Sequence, residues 1–159
     1  MMKKLLLLVC LCIVSISLVA QDFTTRFMQS HKMDKNLKCV TISPKMMEKV
    51  MNLNMDDGMM KMISDLKSMQ MVTAKIHVKR YYHEAVALAK KNADRFLPYA
   101  SYGRKKLNYE IMIRKRRKAI VELVMLMCED DNFSVINFTG NMDRRFIDKL
   151  ASSMGANSR

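Results

Sequence analysis

The chain has 159 residues, 28 of them Lys or Arg against 15 Asp or Glu, for a net charge of +13, and half of its residues are hydrophobic. That length holds one domain with a core of its own, and four glycines with two prolines leave little room for a flexible linker. The basic balance favours contact with anionic surfaces; it speaks to association and solubility, not to fold.

Residues 1–20 read as a secretory signal peptide that is cleaved. Lys3 and Lys4 supply the positive start, Leu5 to Val19 carries no charge, and Ala20 is the small residue before Gln21 and Asp22. The apolar run of about 15 residues falls short of the ~20 that an anchored span needs. Leu18 is large for its place three residues before the cut, so cleavage can shift by a residue or two. Cys10 and Cys12 suggest a lipoprotein, which Val9 and Leu11 exclude by standing where a small residue is required. The expected product is exported, periplasmic or secreted, with residues 21–159 as a single domain and no transmembrane anchor. Without Lys3 and Lys4 it holds 26 basic residues against 15 acidic, a net charge of +11.

Asp22 caps a short helix to about Met33, with Phe23 and Phe27 facing inward. Lys38 to Ser43 alternates as a strand, and Ser43-Pro44 starts a helix with Met47, Val50, Met51 and Met55 as its buried stripe. Asn54 to Gly58 breaks it, and Met59 to Leu66 reads as a second short helix. In the strand from Gln70 to Val78, Val72, Ala74, Ile76 and Val78 point one way and Met71, Thr73, Lys75 and His77 the other. Tyr81 to Phe96 is the longest helix, ended by Pro98. Leu107 to Arg114 alternates again. Ala119 to Cys128 is almost unbroken apolar sequence, the mark of a central strand buried on both faces. Phe133 to Thr139 follows a turn at Asp130, Asp131 and Asn132. Asn141 caps a last helix with Met142, Phe146, Ile147, Leu150, Ala151 and Met154 as its stripe and Gly155 as its stop. The expected fold is a two-layer α+β domain. It has a mainly antiparallel sheet of about five strands, closed by a three-strand meander, with helices packed on one face.

Several stretches resemble a known family. They are Val40-Thr41-Ile42-Ser43 running into a helix, the Tyr109-Glu110 pair opening a hairpin, the apolar strand around Glu122-Leu123-Val124, and the closing Asn137-Phe138-Thr139-Gly140-Asn141-Met142-Asp143. Together they resemble an envelope family of Bacteroidetes catalogued as domain of unknown function 4252. The resemblance implies a small exported α+β protein without known catalytic residues, whose relatives are encoded beside extracytoplasmic-function sigma factors. That neighbourhood implies a link to envelope regulation. No site residue carries over, and a long basic hairpin tip is not expected of the family.

Arg114, Lys115, Arg116, Arg117 and Lys118 form that tip, five cations between two strands. The functional reading is a finger that binds lipid A phosphates, acidic glycan or another polyanion. The plain alternative is a solvated turn that protects a strand edge. Arg104, Lys105 and Lys106 fall at the far end of a strand about 24 Å long at ~3.4 Å per residue. No aromatic residue interleaves the tip, so no specific nucleic acid is expected.

Neither a cofactor nor a metal is expected. The methionines around Met46, Met47, Met51, Met55, Met59, Met60 and Met62 could supply thioethers for Cu(I), but their helical spacing fits core packing. His31, His77 and His83 lack zinc spacing, and a calcium loop from Asn52 fails at Asp57 and Ile63. There is no nucleophile elbow, phosphate-cradling loop or supported carboxylate pair, so no catalytic residue is nominated and an enzyme is not expected.

Cys39 and Cys128 fall on the same side of their strands, which permits a disulfide or two buried thiols. If helices cover the face of Val72, Ile76, Ile111 and Leu123, the opposite face presents Met71, Met112, Val124, Leu126 and Cys128 to a protein partner or a second copy. The alternative is that the N-terminal helix folds back over it. The leading expectation is therefore a non-catalytic envelope protein that acts by protein–protein binding through that face. The second is a binder of anionic envelope surfaces through residues 114–118.

Overall fold

The computed structural model describes residues 21–51, 57–104 and 107–153; the signal segment, Met55, Lys105, Lys106 and the stop at Met154 and Gly155 lie outside the described residues. The elements run α1 (Phe23–Ser30), β1 (Lys38–Ile42), α2 (Pro44–Met51), α3 (Asp57–Ser64), β2 (Leu66–Ala74), α4 (Val78–Lys91), β3 (Leu97–Arg104), β4 (Leu107–Arg116), β5 (Ala119–Glu129), β6 (Asn132–Met142) and α5 (Arg144–Ser153). The six strands make one sheet in the order β1-β2-β6-β5-β4-β3, every pairing antiparallel.

The class is α+β, with one strand more than the sequence suggests. The added strand is β3, which contains Pro98 and Gly103 and shows no apolar alternation. A proline lacks the N–H that a central ladder needs, but an edge strand tolerates it, and the pairing of β3 with β4 is irregular between Pro98 and Ala100. β2 starts four residues earlier than its alternation indicates, at Leu66, and ends at Ala74. His77 then takes a left-handed φ of 53° at the cap of α4. The cap of α5 is Asp143, not Asn141: its Oδ1 accepts from the Phe146 N–H at 2.9 Å.

Helices cover both faces of the sheet, so the one-face layering expected from the sequence is corrected to three layers. Register fixes the two faces. Val72, Val135 and Leu126 stand side by side across β2, β6 and β5, and Met71, Ile136 and Met125 form the next row, which points the other way. The first face packs under α1 and α4, burying Phe23, Phe27, Val72, Tyr81, Ala85, Val124, Leu126, Phe133 and Val135. Phe23 and Phe27 stack at 6.3 Å, and Phe96 meets Phe23 edge-on at 5.7 Å. The second face packs under α2, α3 and α5, burying Met47, Ile63, Ile111, Leu123, Phe138, Phe146 and Ile147. The physical reason is β5 itself, with Leu123 and Met125 on one side and Val124 and Leu126 on the other, all buried. A strand apolar on both sides leaves ~1.5–3 kcal/mol per large side chain unrealised unless each face is covered.

β6 ends against β2 at a place only glycine fits. Gly140 has φ +131°, and a Cβ there would lie 2.7 Å from the Leu66 Cα and the Lys67 nitrogen. This contact marks the irregular step between Leu66 and Ser68 and sends the chain on to α5.

Candidate functional site

β4 and β5 join through Arg117 and Lys118, a two-residue loop closed by the Arg116–Ala119 pair, with Arg117 at φ 59°. Lys115, Arg116, Arg117 and Lys118 are exposed. Arg114 is not a free member of this tip. Its Nε donates to Glu122 Oε2 at 2.7 Å, and Glu122 is fully buried. The reading of five unpartnered cations is therefore corrected to four exposed cations above one buried ion pair. Among the described residues, no carboxylate pairs with Lys115, Arg116, Arg117 or Lys118.

Glu122 anchors a polar knot in the first face. Its Oε1 accepts the Phe23 N–H at 2.6 Å and an Asn137 Nδ2–H at 3.2 Å. Asn137 Oδ1 accepts the Thr24 N–H at 3.3 Å, and Asp22 Oδ1 accepts from Thr25 N–H at 2.7 Å. Two strand side chains and one local cap thus serve the free N–H groups at the start of α1, which have no partner inside the helix. Arg95 donates to the Gln21 carbonyl and sits 3.9 Å from Glu122. Burial, then the like charge of Arg114, pushes the Arg95 guanidinium below its usual pKa against the pull of Glu122.

Two further basic stretches reach the same end of the sheet. Ile120 pairs with Met142, so β6 delivers Asp143, Arg144 and Arg145 beside the start of β5. Arg145 pairs with Asp143 at 3.1 Å, and Arg144 lies 5.9 Å over the Tyr99 ring. The Phe146 N–H, with Arg145 behind it, holds the Asp143 carboxyl below its ordinary value. α4 ends with Lys90 and Lys91, and the chain then passes Arg95 into β3, where Leu97 pairs with Ile113. The acidic turn lies at the other end, where Glu129 pairs with Asn132 and with Leu107. Arg104 pairs with Leu107 at that far end too.

The other nominated residues are placed as follows. Met112, Val124, Leu126 and Cys128 are buried under α1 and α4, so they form no bare interaction face; the N-terminal helix does fold back over them. Met71 points to the opposite face and is half-buried. Cys39 is exposed on β1, Cys128 is buried on β5, and both are free thiols. Two strands stand between them, about 14 Å at ~4.8 Å per strand, and a disulfide needs Cα atoms within ~7 Å. The Cys39–Cys128 bridge that the sequence permits is therefore absent from this fold, and of the two free thiols only Cys128 is buried.

Sequence reasoning missed a second polar cluster at the other end of α1. His31 Nε2 lies 2.8 Å from Glu84 Oε2, and its Nδ1 lies 2.8 Å from the Phe27 carbonyl. Tyr81 donates to Asp34, beside Arg80 at 3.5 Å. His31, Asp34, Arg80 and Glu84 edge an open groove of about 810 Å³ between residues 29–36 and α4. Arg80 pairs with Asp34 and Glu84 along it, and Lys32 and Lys35 also line it. His31 offered no signal in the sequence, because its partner lies 53 residues away. Among the described residues, no three His, Cys, Asp or Glu side chains gather as a metal site would require.

A family model described as a domain of unknown function, DUF4252, matches residues 31–150, which leaves α1 outside the matched span. No curated protein and no solved structure matches the chain.

Proposed function

The chain belongs to the DUF4252 family, and from that premise we propose that it is a non-catalytic exported envelope protein that binds anionic surfaces through the basic end of its sheet. Convergence carries this reading: residues 90–95, 114–118 and 144–145, distant in sequence, arrive at one end while Glu129, Asp130 and Asp131 turn at the other. Glu122, beneath the tip, is buried and already engaged by Arg114, and Asp143 is paired with Arg145. A cation near an anionic membrane surface gains about 1 kcal/mol, so four exposed tip cations supply about 4 kcal/mol at low salt.

Export through residues 1–20 is part of the proposal. Its support is the sequence pattern of residues 1–20, with Lys3 and Lys4 before an uncharged apolar run that ends at Ala20. Protein–protein binding through Met112, Val124 and Leu126 is not carried forward, because those side chains are core.

The test is retention of purified residues 21–159 on lipopolysaccharide micelles. The protein should bind in low salt and be released as salt rises. A variant with Lys115, Arg116, Arg117 and Lys118 all changed to Ser should not bind. Equal retention of that variant rejects the proposal.

A further inference from the structure

We infer that the free edge of β1 docks a second copy of this chain, strand against strand, with Val40 facing its own counterpart across a two-fold axis. β1 ends the sheet's order, so among the described residues no strand lies on its outer side. The opposite edge, β3, carries Pro98 and an irregular step, two devices that discourage a further strand. β1 carries neither. It reads Lys38-Cys39-Val40-Thr41-Ile42, its register with β2 is unbroken, and its one charge stands at its first residue. Lys38, Cys39, Val40 and Thr41 are all exposed. The outward N–H and C=O groups of such a strand are a template for another strand.

The side chains select a second copy as that strand. Ala100, Ile111, Met125, Ile136 and Met71 form one apolar row from β3 to β2, and Val40 ends it on β1. Ile111 and Met125 are buried, Ile136 and Met71 are half-buried and Val40 is 50% exposed, so the row loses its cover towards this edge. Among the described residues five large apolar side chains are exposed, and four of them belong to this neighbourhood. Besides Val40, Met33 precedes β1, Met46 stands in the first turn of α2 directly after it, and Ile76 follows β2 at the end where Thr73 pairs with Lys38. A two-fold contact lays a patch against its own copy. With Val40 at the axis the whole strand is used: Cys39 faces Thr41 of the other copy and Lys38 faces Ile42, so no like charges meet and the apolar row continues. The Ile42 end, with Met46, then falls beside the other copy's Lys38 end, with Met33 and Ile76. A five-residue strand, about 17 Å long at ~3.4 Å per residue, supplies only part of the ~800 Å² per partner that a stable interface buries, so these flanking side chains are needed as well. The axis also turns the copies end for end, which holds the two 114–118 tips apart.

The test is sedimentation of protein purified from cells producing the full chain, in reducing buffer and at concentrations up to about 100 μM. The expected result is a monomer that gives way to a dimer as concentration rises. Val40→Lys sets two ammoniums against each other at the axis and should stay monomeric with an unchanged circular dichroism spectrum. Register is read separately, by oxidation with glutathione disulfide, which takes the hydrogens of two protein thiols and leaves as two glutathione thiols. Opposed residues of antiparallel strands have Cα atoms about 4.5–5.5 Å apart, within disulfide reach, whereas diagonal ones lie about 7–8 Å apart, beyond it. Val40→Cys in a Cys39→Ser background should therefore link into covalent dimers far more readily than the native chain does through Cys39. A chain that is monomeric at every concentration overturns the inference, including the case in which the edge serves a different protein. So does a dimer that Val40→Lys leaves intact, or one in which Val40→Cys links no better than Cys39.

Discussion

Replacing Glu122 by Ala removes the carboxylate that four groups share. The side chain is fully buried and accepts from the Phe23 N–H, Asn137 and Arg114, with Arg95 close by. The change strands two guanidiniums whose side chains are only 24% and 15% exposed. Removing one partner of a buried pair costs ~3–5 kcal/mol, because the other charge stays buried without compensation. At about 3–4 °C per kcal/mol for a domain of this size, Tm should fall by roughly 10–20 °C. Glu122→Gln keeps an acceptor for the helix amide but loses the charge, and should cost less, about 1.5–3 kcal/mol. The assay is thermal or urea unfolding followed by circular dichroism. A double-mutant cycle with Arg114→Leu should return a coupling of about 1–3 kcal/mol. A Glu122→Ala protein that melts with the wild type, or a coupling near zero, refutes the assignment of this knot as the anchor of α1.

Gly140→Ala, an exchange that stabilises by up to ~1 kcal/mol at an unstrained position, should here destabilise by more than that, because its Cβ meets the Leu66 and Lys67 backbone at 2.7 Å; urea unfolding measures it. Asp143→Ala removes the cap of α5 and should cost ~1 kcal/mol by the same assay. The fold lowers the Asp143 and Asp34 carboxyls below the ordinary 3.8, so the stability they lend is present above that value and is lost as pH falls through their lower folded values. Tm should hold from neutrality to about pH 5 and decline in stronger acid. Burial, then Glu110, pushes the Tyr82 phenol up to about 12, and burial raises Tyr81, Tyr99 and Tyr109 as well. A raised folded value means that stability is complete below the ordinary value of 10 and drains as pH rises toward 12; phenolate absorbance and melting at stepped alkaline pH should show both together.

Much of the fold was legible. Helical spacing in α1, α2 and α5 and alternation in β4 and β6 place these elements near their observed bounds, and the apolar run places β5. The apolar run of β5 already carried the answer to the layering: a strand buried on both faces demands cover on both. The one-face arrangement conflicted with that reading, and register resolves the conflict in favour of β5. β3 was not legible, since Pro98 looks like a helix stop and an edge strand needs no alternation. The candidate site was half legible. The tip cations are plain in the sequence, but the Arg114–Glu122 pair is not. Counting back from the Arg116–Ala119 pair places Arg114 opposite Val121. A bulge there makes Val121 the extra residue and brings Glu122 into line instead. Neither the arrival of Arg144 and Arg145 beside the tip nor the His31–Glu84 contact can be read locally, because both depend on how distant segments meet.

The measurement that bears most directly on anionic-surface binding is the salt dependence of affinity for lipopolysaccharide, compared between wild type and single neutralisations at Lys115, Arg116, Arg117 and Lys118. The account predicts a steep linear fall of log affinity with log salt, with the slope reduced by about one for each tip cation removed. A shallow slope that the four substitutions leave unchanged contradicts it.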